Sequence, residues 1–288
     1  MSSEVAAVIV SYNVADLLLE CIESLQDDGV DHIVVVDNAS ADGSVEAVRR
    51  AYPEVEVVAL ERNIGFGSGV NQGVVRTTAP FVLVVNPDVV VHSGSTKALL
   101  QALEADPGLA VVAPRIQTPE GALYPSARTF PDMVDAAGHA FLHFVWPSNP
   151  FSRRYRMLDW DHATASDVDW VAGTHFMVRR EAWDAVGGFD ESYFMYMEDV
   201  DLCWRLEKAG WRRGYEPAAT VTHGIGRSTD QTPYRMIAAH HRSLLRYAAR
   251  TTTGAQRLLL PLIAAALVVR TAMAWAQRAF RGRPHAAP

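Results

Sequence analysis

The first 113 residues alternate short apolar runs with segments in which apolar residues recur at helical spacing. The apolar runs, each short enough for a buried strand, cover residues 5–11, 33–36, 55–60 and 81–85. The first intervening segment has apolar residues every three or four positions from Leu17 to Leu25, and further helices are expected at 42–51 and 69–76. Strands that alternate with helices predict an α/β fold with a mostly parallel central sheet flanked by helices.

Polar side chains follow the ends of these predicted strands. They are Ser11, Asn13, Asp37, Asn63, Asn86 and Asp88. In parallel sheets ligands bind at the carboxyl ends of the strands, so these side chains are expected to face one crevice. Asp37 can read the imide N–H of a uracil or thymine ring, and Asp88 can bind a divalent cation that neutralises a diphosphate. Each also has a structural interpretation, because Asp-Asn and Asn-Pro-Asp sequences form turns.

The loop at 63–69 is rich in glycine and precedes a predicted helix. Glycines at Gly65, Gly67 and Gly69 would let backbone amides approach a diphosphate at the helix N-terminus. The spacing does not match the G-x-G-x-x-G dinucleotide fingerprint, and the loop follows the third strand instead of the first. A nicotinamide-dependent oxidoreductase is therefore the less favoured interpretation of this half.

The second half, residues 114–230, is less regular. A helix at 96–105 and a strand at 109–113 precede it, and residues 114–165 have no sustained period. Beyond them the expected elements are strands at 168–171, 176–178, 212–215 and 219–223, and helices at 180–186 and 198–209. We expect one domain over residues 1–230, in two halves at 1–113 and 114–230.

The segment 187–205 concentrates the candidate chemistry, with five carboxylates in nineteen residues. Glu198 and Asp199 open a predicted helix, where the macrodipole stabilises acids and favours a low pKa. That location suits an ionised base but is also ordinary helix chemistry. Asp201 is expected on the helix surface, and His223 is either a strand-end histidine or a metal ligand.

Composition and charge restrict the remaining possibilities. A chain of 288 residues with 49% hydrophobic content can bury a full core. Cys21 and Cys203 lie far apart on predicted helices, which indicates no disulfide and a reducing, cytoplasmic setting. The first four residues lack the basic and apolar regions of a signal peptide.

The C-terminal region, residues 231–288, differs from the rest in charge. It contains nine arginines and no acid, which leaves a formal charge of −16 on residues 1–230 because the whole chain carries −7. Nucleic-acid binding by the main body is therefore disfavoured. The apolar run at 258–269 contains Pro261 and ends at Arg270, and it is shorter than the roughly 20 residues of a bilayer span. We expect a basic helical region on an anionic membrane surface, with a core-packing helix as the alternative.

Taken in order, these motifs resemble family 2 glycosyltransferases of the GT-A fold, in particular the bacterial rhamnosyltransferase-like branch. The resemblance rests on the segments 8–13, 37–40, 63–67, 71–73, 86–88, 187–191, 196–202 and 223–228. It implies a Rossmann-like GT-A architecture over about residues 5 to 250. It also implies that the half at 1–113 binds a nucleotide-diphospho-sugar, not a nicotinamide cofactor, and that the half at 114–230 binds the acceptor and carries the catalytic residues.

The resemblance assigns roles to individual residues. Asp199 corresponds to the general base, with Glu198 as its close support. Asp88 corresponds to the last acid of the DXD motif and His223 to an additional ligand, for Mg²⁺ or Mn²⁺. Asn86 stands in place of the first acid of that motif, so the cation has one carboxylate fewer. The donor would be bound by Ser11, Asn13, Asp37, Asn63, Gly65, Asn71 and Asn86, and the acceptor by Tyr193, Phe194 and Tyr196.

The implied reaction is an inverting transfer in which one carboxylate deprotonates the acceptor hydroxyl. The expected donor is dTDP-L-rhamnose, and the expected acceptor is a polyprenyl-diphosphate-linked sugar or another cell-envelope glycan at the inner face of the cell membrane. A UDP-sugar donor is an alternative. A different class, a non-catalytic nucleotide-sugar or glycan-binding protein on the same scaffold, would bind a nucleotide without releasing it from a donor.

Overall fold

The computed structural model describes residues 4–131, 146, 148–224 and 233–281. The strands are β1 (Val5–Ser11), β2 (His32–Asp37), β3 (Glu56–Ala59), β4 (Phe81–Val85), β5 (Val89–Val91), β6 (Leu109–Gln117), β7 (Leu123–Tyr124), β8 (Ala127–Arg128), β9 (Ser166–Asp167), β10 (Trp170–Val171), β11 (His175–Arg179) and β12 (Arg212–His223). The helices are α1 (Ala15–Asp27), α2 (Ser44–Ala51), α3 (Phe66–Val74), α4 (Ser95–Ala105), α5 (Pro150–Tyr155), α6 (Arg180–Val186), α7 (Glu198–Lys208), α8 (Pro233–Thr251) and α9 (Leu260–Arg281). A 3₁₀ turn at Gly254–Leu259 precedes α9.

The central sheet has the strand order β3-β2-β1-β4-β11-β6-β12-β5, with β7 and β9 attached at its side. The first four strands are parallel, as the alternating pattern predicts. The register places Ser11 beside Asp37 and Ile9 beside Val85, so the carboxyl ends of β1, β2 and β4 form one edge. The polar residues that follow these strands therefore share a crevice.

The sheet is mixed beyond β4. Strand β11 lies antiparallel between β4 and β6, and β12 is parallel to β6. This insertion brings the turn before β11 next to the end of β4, where the backbone N–H of Asn86 donates to the Thr174 carbonyl at 2.8 Å. A separate two-stranded sheet pairs β8 with β10. These contacts between distant segments assemble the second wall of the crevice.

Glycines in α3 allow this helix to pack closely on the sheet. A Cβ at Gly69 would stand 2.9 Å from Val10, and one at Gly73 would overlap Val8. Because β1 lies in the middle of the sheet, this close approach fixes the start of α3 against the crevice. Packing alone therefore accounts for two of the loop and helix glycines.

The C-terminal helices α8 and α9 form an antiparallel pair. The ring of His241 is 2.7 Å from the Thr271 hydroxyl, and the Trp275 indole donates to the Tyr234 carbonyl at 3.1 Å. Helix α8 also contributes Tyr247, which is 5% exposed, to the main core.

Helix α9 does not bury its apolar side chains. Leu258, just before it, is 81% exposed, and Leu262 and Val268 are 68% and 69% exposed. This exposure argues against the alternative of a helix that packs on the core. Residues Gly254–Ala279 are long and apolar enough to cross a membrane by length and composition, with a mean hydropathy of 2.0. The helix extends beyond the apolar run at 258–269, because Pro261 lies in the first helical turn, where a missing N–H costs no hydrogen bond.

Candidate active site

The segment between α6 and α7, residues 187–197, is held over the start of α3 by backbone and side-chain contacts. The amide of Asn71 donates to the Phe189 carbonyl at 2.9 Å and accepts from the Phe189 N–H at 3.0 Å. The Phe66 N–H donates to the Phe194 carbonyl at 3.1 Å. A Cβ at Gly65, where φ is +93°, would overlap that same carbonyl. The segment is thereby positioned before α7 begins.

Helix α7 begins with Glu198 and Asp199. The Asp199 carboxylate accepts from the Gly173 N–H at 2.9 Å through Oδ2 and from the Val200 N–H at 2.8 Å through Oδ1. Glu198 is 5% exposed, and its Oε2 has no hydrogen-bond partner among the described residues. The two neighbouring carboxylates therefore have different surroundings.

These surroundings separate their protonation. Burial, followed by the charge of Asp199, raises the pKa of Glu198 to about 8. Burial also raises the pKa of Asp199, while the N–H donors of Gly173 and Val200 and the charge of Arg128 act to lower it. The expected low pKa at the helix start was wrong, because desolvation outweighs the dipole. Between the two, the proton is favoured on Glu198, because the Gly173 and Val200 N–H groups and the charge of Arg128 stabilise the ionised form of Asp199.

The end of the crevice formed by β1 and β2 contains Ser11 and Asp37, the last residues of these adjacent strands. Asp37 is 2% exposed; its Oδ2 accepts from the Ser40 N–H at 2.8 Å, whereas its Oδ1 has no partner among the described residues. The Ser11 hydroxyl is likewise buried without a described partner. Asn13 has φ +53°, and its side chain accepts from the Ala41 N–H at 2.7 Å. Asp37 therefore forms the turn at residues 37–40 through Oδ2, and its Oδ1 is available to another hydrogen-bond donor.

Asn63, Gly65 and Asn71 make contacts within the protein. Asn63 Oδ1 accepts from the Gly65 N–H at 2.9 Å, and the Gly65 carbonyl accepts from the Asn38 amide at 3.1 Å. Asn71 uses both amide atoms on Phe189, as described above. These contacts hold the wall of the crevice in place. Direct contact of Asn63, Gly65 or Asn71 with a nucleotide-sugar remains a prediction.

Asp88 and His223 come together from positions 135 residues apart in sequence. Strand β12 pairs with β5 so that His223 lies beside Val89, and Asp88 Oδ1 is 3.1 Å from His223 Nε2. Two adjacent ligands of an octahedral Mg²⁺ are about 3.0 Å apart, since each metal–ligand distance is about 2.1 Å. The carboxylate and imidazole therefore fit a shared cation.

The described residues around Asp88 and His223 supply only part of the ligands that a cation needs. Within the described residues, no group of three or more His, Cys, Asp or Glu side chains is arranged to hold a metal, so diphosphate and water oxygens would have to complete the coordination. His175, the first residue of β11, is fully buried, and neither of its ring nitrogens has a hydrogen-bond partner among the described residues. Burial lowers its pKa to about 3, aided by the charge of His223, so it is neutral.

The aromatic residues before α7 are placed differently from the expectation. Tyr193 is fully buried, with its hydroxyl 3.4 Å from Asp201, and presents no surface to a sugar; its assignment as an acceptor contact was wrong. Phe194 and Tyr196 are half-buried and face α8, with the Arg235 guanidinium 5.3 Å from the Phe194 ring and His240 5.0 Å from the Tyr196 ring.

Asp201 also differs from the expectation. It is fully buried instead of exposed on the surface of α7, and it accepts from Arg205 at 2.7 Å. Arg250 of α8 lies 3.2 Å from Asp201 and 2.5 Å from Asp190. The two acids therefore attach the segment to the C-terminal helices and take no direct part in the base site.

Sequence reasoning missed the residues that surround Asp199 from the irregular part of the chain. Gly173 supplies one of its amide donors, and Arg128 and Tyr155 lie within its electrostatic environment. No periodic pattern marks these positions in residues 114–165 and the turn before β11. The only signal in the sequence was the presence of an arginine and a tyrosine in an otherwise irregular segment. Of the motif segments on which the family resemblance rests, residues 225–228 lie outside the described residues.

Comparison with known proteins identifies the class. The family model described as glycosyl transferase family 2 matches residues 6–185. The chain therefore belongs to the family 2 glycosyltransferases, which excludes the oxidoreductase interpretation.

Relatives agree with this membership. The chain is 39% identical over 233 residues to the N-acetylglucosaminyl-diphospho-decaprenol L-rhamnosyltransferase of Mycobacterium tuberculosis, a match over 77% of this chain and 76% of that protein. It is 33% identical over 220 residues to the pre-mycofactocin glycosyltransferase of the same organism, covering 76% of this chain and 42% of that protein.

Solved structures share the fold. The mannosyltransferase of Pyrobaculum calidifontis, in complex with GDP-mannose and Mn²⁺, superposes with a TM-score of 0.61 at 17% identity, over 99% of this chain and 77% of that one. The TarS protein of Staphylococcus aureus in complex with UDP gives 0.57 at 15% identity, over 92% and 70% of the two chains. The mixed sheet flanked by helices is thus the GT-A fold, as the sequence predicts.

Proposed function

We propose that this chain is an inverting rhamnosyltransferase in which Asp199 deprotonates the acceptor hydroxyl. The observation that carries the proposal is the placement of Asp199. Two backbone N–H groups hold its carboxylate at the start of α7, and of the two acids the adjacent Glu198 is the favoured site of the proton. One ionised carboxylate suffices for a single displacement without a covalent sugar–enzyme intermediate.

The expected donor is dTDP-L-rhamnose. Asp37 Oδ1 is a buried acceptor without a described partner, which suits the imide N–H of a thymine ring. The relative at 39% identity is an L-rhamnosyltransferase, which favours rhamnose as the sugar. Uracil offers the same imide N–H, so a UDP-sugar remains the alternative donor.

A divalent cation, Mg²⁺ or Mn²⁺, would be held by Asp88 and His223. The cation would neutralise the charge of the departing nucleoside diphosphate. Asn86, beside it, has its backbone N–H committed to the Thr174 carbonyl, which fixes the turn that carries Asp88. Ser11, Asn13, Asn63, Gly65 and Asn71 complete the proposed donor half, residues 1–113.

The proposed acceptor is a sugar linked to a polyprenyl diphosphate. The M. tuberculosis relative is named for such an acceptor. The exposed apolar side chains of α9 and the arginines of residues 231–288 suit an anionic membrane surface at the cytoplasmic face. Phe194 and Tyr196, on the α8 side of residues 114–230, are the remaining aromatic candidates for the acceptor wall.

The base assignment is tested by Asp199→Asn, with Asp190→Asn as a matched control in the same segment. Asparagine can still accept from the Gly173 N–H but cannot take a proton, so transfer of rhamnose should fall by at least about 100-fold. Binding of dTDP, followed by calorimetry, should stay near wild type. If Asp199→Asn keeps substantial transfer, another group is the base.

The donor and the catalytic nature of the protein are tested together by thermal shift with dTDP, UDP and GDP, each with and without Mn²⁺. A ligand selective for the folded state raises its melting temperature. A response to dTDP without one to UDP supports the donor. Stabilisation without any release of dTDP from dTDP-L-rhamnose, across a panel of lipid-linked acceptors, would favour the non-catalytic binding protein.

Membrane contact is tested by sedimentation with vesicles of phosphatidylcholine, with and without phosphatidylglycerol. Binding should require the anionic lipid and should be lost in the double variant Leu262→Asp, Val269→Asp. Stabilisation by dTDP should persist in that variant, because both positions lie on α9 outside the crevice. Equal sedimentation of the variant would refute the assignment of α9 to the membrane.

A further inference from the structure

Two arginines of the second half, Arg128 and Arg156, lie outside the donor crevice, and the charge of Arg128 acts on Asp199. Arg128 ends β8, and Arg156 follows α5. The Thr129 N–H donates to the Tyr155 carbonyl at 3.4 Å, so the residue after Arg128 lies against the residue before Arg156. Burial, and then the charge of Arg128, lowers the pKa of Arg156, which agrees with this proximity. Like charges placed together in a half-buried site favour an anionic ligand.

The pairing of β8 with β10 directs Arg128 towards the base. Arg128 lies opposite Trp170, and the Ala172 N–H donates to the Ser126 carbonyl at 2.8 Å, so the two strands continue side by side towards Gly173. The Arg128 Nε donates to the Pro125 carbonyl at 2.9 Å. The side chain thus turns back along β8 towards the end at which Gly173 binds Asp199.

Aromatic rings fix the orientation of this guanidinium. Its central carbon is 5.1 Å from the centre of the Trp170 ring and 5.7 Å from that of Tyr155. The Trp170 indole is itself held by a 2.8 Å bond to the Thr129 carbonyl. A planar guanidinium held in one orientation suits bidentate binding of phosphate oxygens.

The order of contacts along one turn separates the donor side from the acceptor side. Thr174 binds Asn86 next to the proposed cation site, Gly173 binds Asp199, and Ala172 binds the strand that carries Arg128. Asp199 therefore lies between the proposed leaving group and the arginines. In an inverting displacement the acceptor attacks from the face opposite the leaving group, so the arginines are on the acceptor side.

We propose that Arg128 and Arg156 form a subsite for the diphosphate of a lipid-diphosphate-linked acceptor sugar. This deepens the proposed function and rests on it. Two guanidinium groups on the acceptor side of Asp199 can bind and neutralise the oxygens of one diphosphate. The subsite distinguishes acceptors by the group that follows the sugar and not by the sugar alone.

The test compares two acceptors in the full-length enzyme, namely N-acetylglucosaminyl diphosphate with a farnesyl tail and the uncharged phenyl N-acetylglucosaminide. Arg128→Gln and Arg156→Gln should each raise the KM for the diphosphate acceptor by about 10- to 100-fold. They should leave the KM for dTDP-L-rhamnose within about twofold, and the KM for the uncharged acceptor should rise much less than the KM for the diphosphate acceptor. Because the charge of Arg128 also lowers the pKa of Asp199, a change in kcat that is equal for both acceptors is expected for Arg128→Gln. Arg153→Gln, an exposed arginine of α5 that pairs with Asp159, is the matched control.

The KM values decide between the donor diphosphate and the acceptor diphosphate. A raised KM for the donor would assign the arginines to the donor diphosphate and overturn the proposal, as would an equal rise in KM for both acceptors. Binding of inorganic pyrophosphate, measured by calorimetry, provides a separate readout. If the wild-type enzyme transfers rhamnose to neither acceptor, the proposed function fails. In that case, loss of pyrophosphate binding in both arginine variants would still support an anion subsite. Unchanged pyrophosphate binding in the variants would refute the subsite.

Discussion

Replacement of Gly65 by alanine tests whether the segment before the base depends on close contact with α3. Gly65 has φ +93° and ψ 171°, a region occupied almost only by glycine. A Cβ at this position would overlap the backbone carbonyl of Phe194, four residues before Glu198. The substitution therefore strains the local backbone and presses on the segment that leads into α7.

The two costs can be added from the structure. An alanine in this backbone region costs about 1–3 kcal/mol. Overlap with a backbone atom, which cannot move aside as a flexible side chain can, costs about 1–3 kcal/mol more. The free energy of unfolding of Gly65→Ala should therefore fall by about 2–6 kcal/mol, and kcat should fall as well because Asp199 follows the displaced segment.

Gly94→Ala is the matched control. Gly94 has φ +84°, but a Cβ there would meet no atom within 4 Å, so only the backbone cost of about 1–2 kcal/mol applies. Urea denaturation of both variants, followed by fluorescence, gives the two values, and a transfer assay gives kcat. If Gly65→Ala loses no more stability than Gly94→Ala, the inferred contact with Phe194 does not constrain the site.

Two further substitutions test the electrostatics around α7. Because the pKa of Glu198 is about 8 in the folded protein and about 4.5 when unfolded, the folded state binds more protons between these values and its stability falls as pH rises. Glu198→Gln should therefore have a higher free energy of unfolding than wild type in this pH window. The difference should grow by at most about 1.4 kcal/mol per pH unit as pH rises. Equal pH profiles of the two proteins in urea denaturation would refute the raised pKa of Glu198. Asp201→Ala leaves Arg205, whose side chain is 12% exposed, without its carboxylate and should cost about 3–5 kcal/mol, measured in the same way. Asp106→Ala, which removes an exposed partner of Arg212, should cost less than about 1 kcal/mol, and similar losses for the two variants would contradict the burial argument.

The first half of the fold follows from the sequence because its signals are local. Continuous apolar runs fix β1, β2 and β4, and the rule that ligands bind at carboxyl ends of parallel strands places Asp37 and Asp88 at one edge. The pairing of Asp88 with His223 came from the family resemblance, and the structure shows its physical basis in the pairing of β12 with β5.

The remainder depends on contacts between distant segments that no local pattern records. Strand β11 enters antiparallel between β4 and β6, which brings Gly173 to Asp199. Tyr193 and Asp201 are polar residues in an acidic segment, so a surface position was a reasonable prediction, yet they satisfy each other and Arg205 inside the core. Burial of this kind is decided by partners more than 40 residues away, such as Arg250.

The C-terminal helices therefore have two different relations to the site. Helix α9 exposes its apolar side chains, whereas α8 binds the segment before the base: the Ser243 hydroxyl donates to the Met195 carbonyl at 2.9 Å, and Arg250 pairs with Asp190. The change in charge at residue 231 thus does not coincide with a change in packing. Helix α8 therefore joins α9, for which we propose a membrane contact, to the segment 187–197 that precedes the proposed base Asp199.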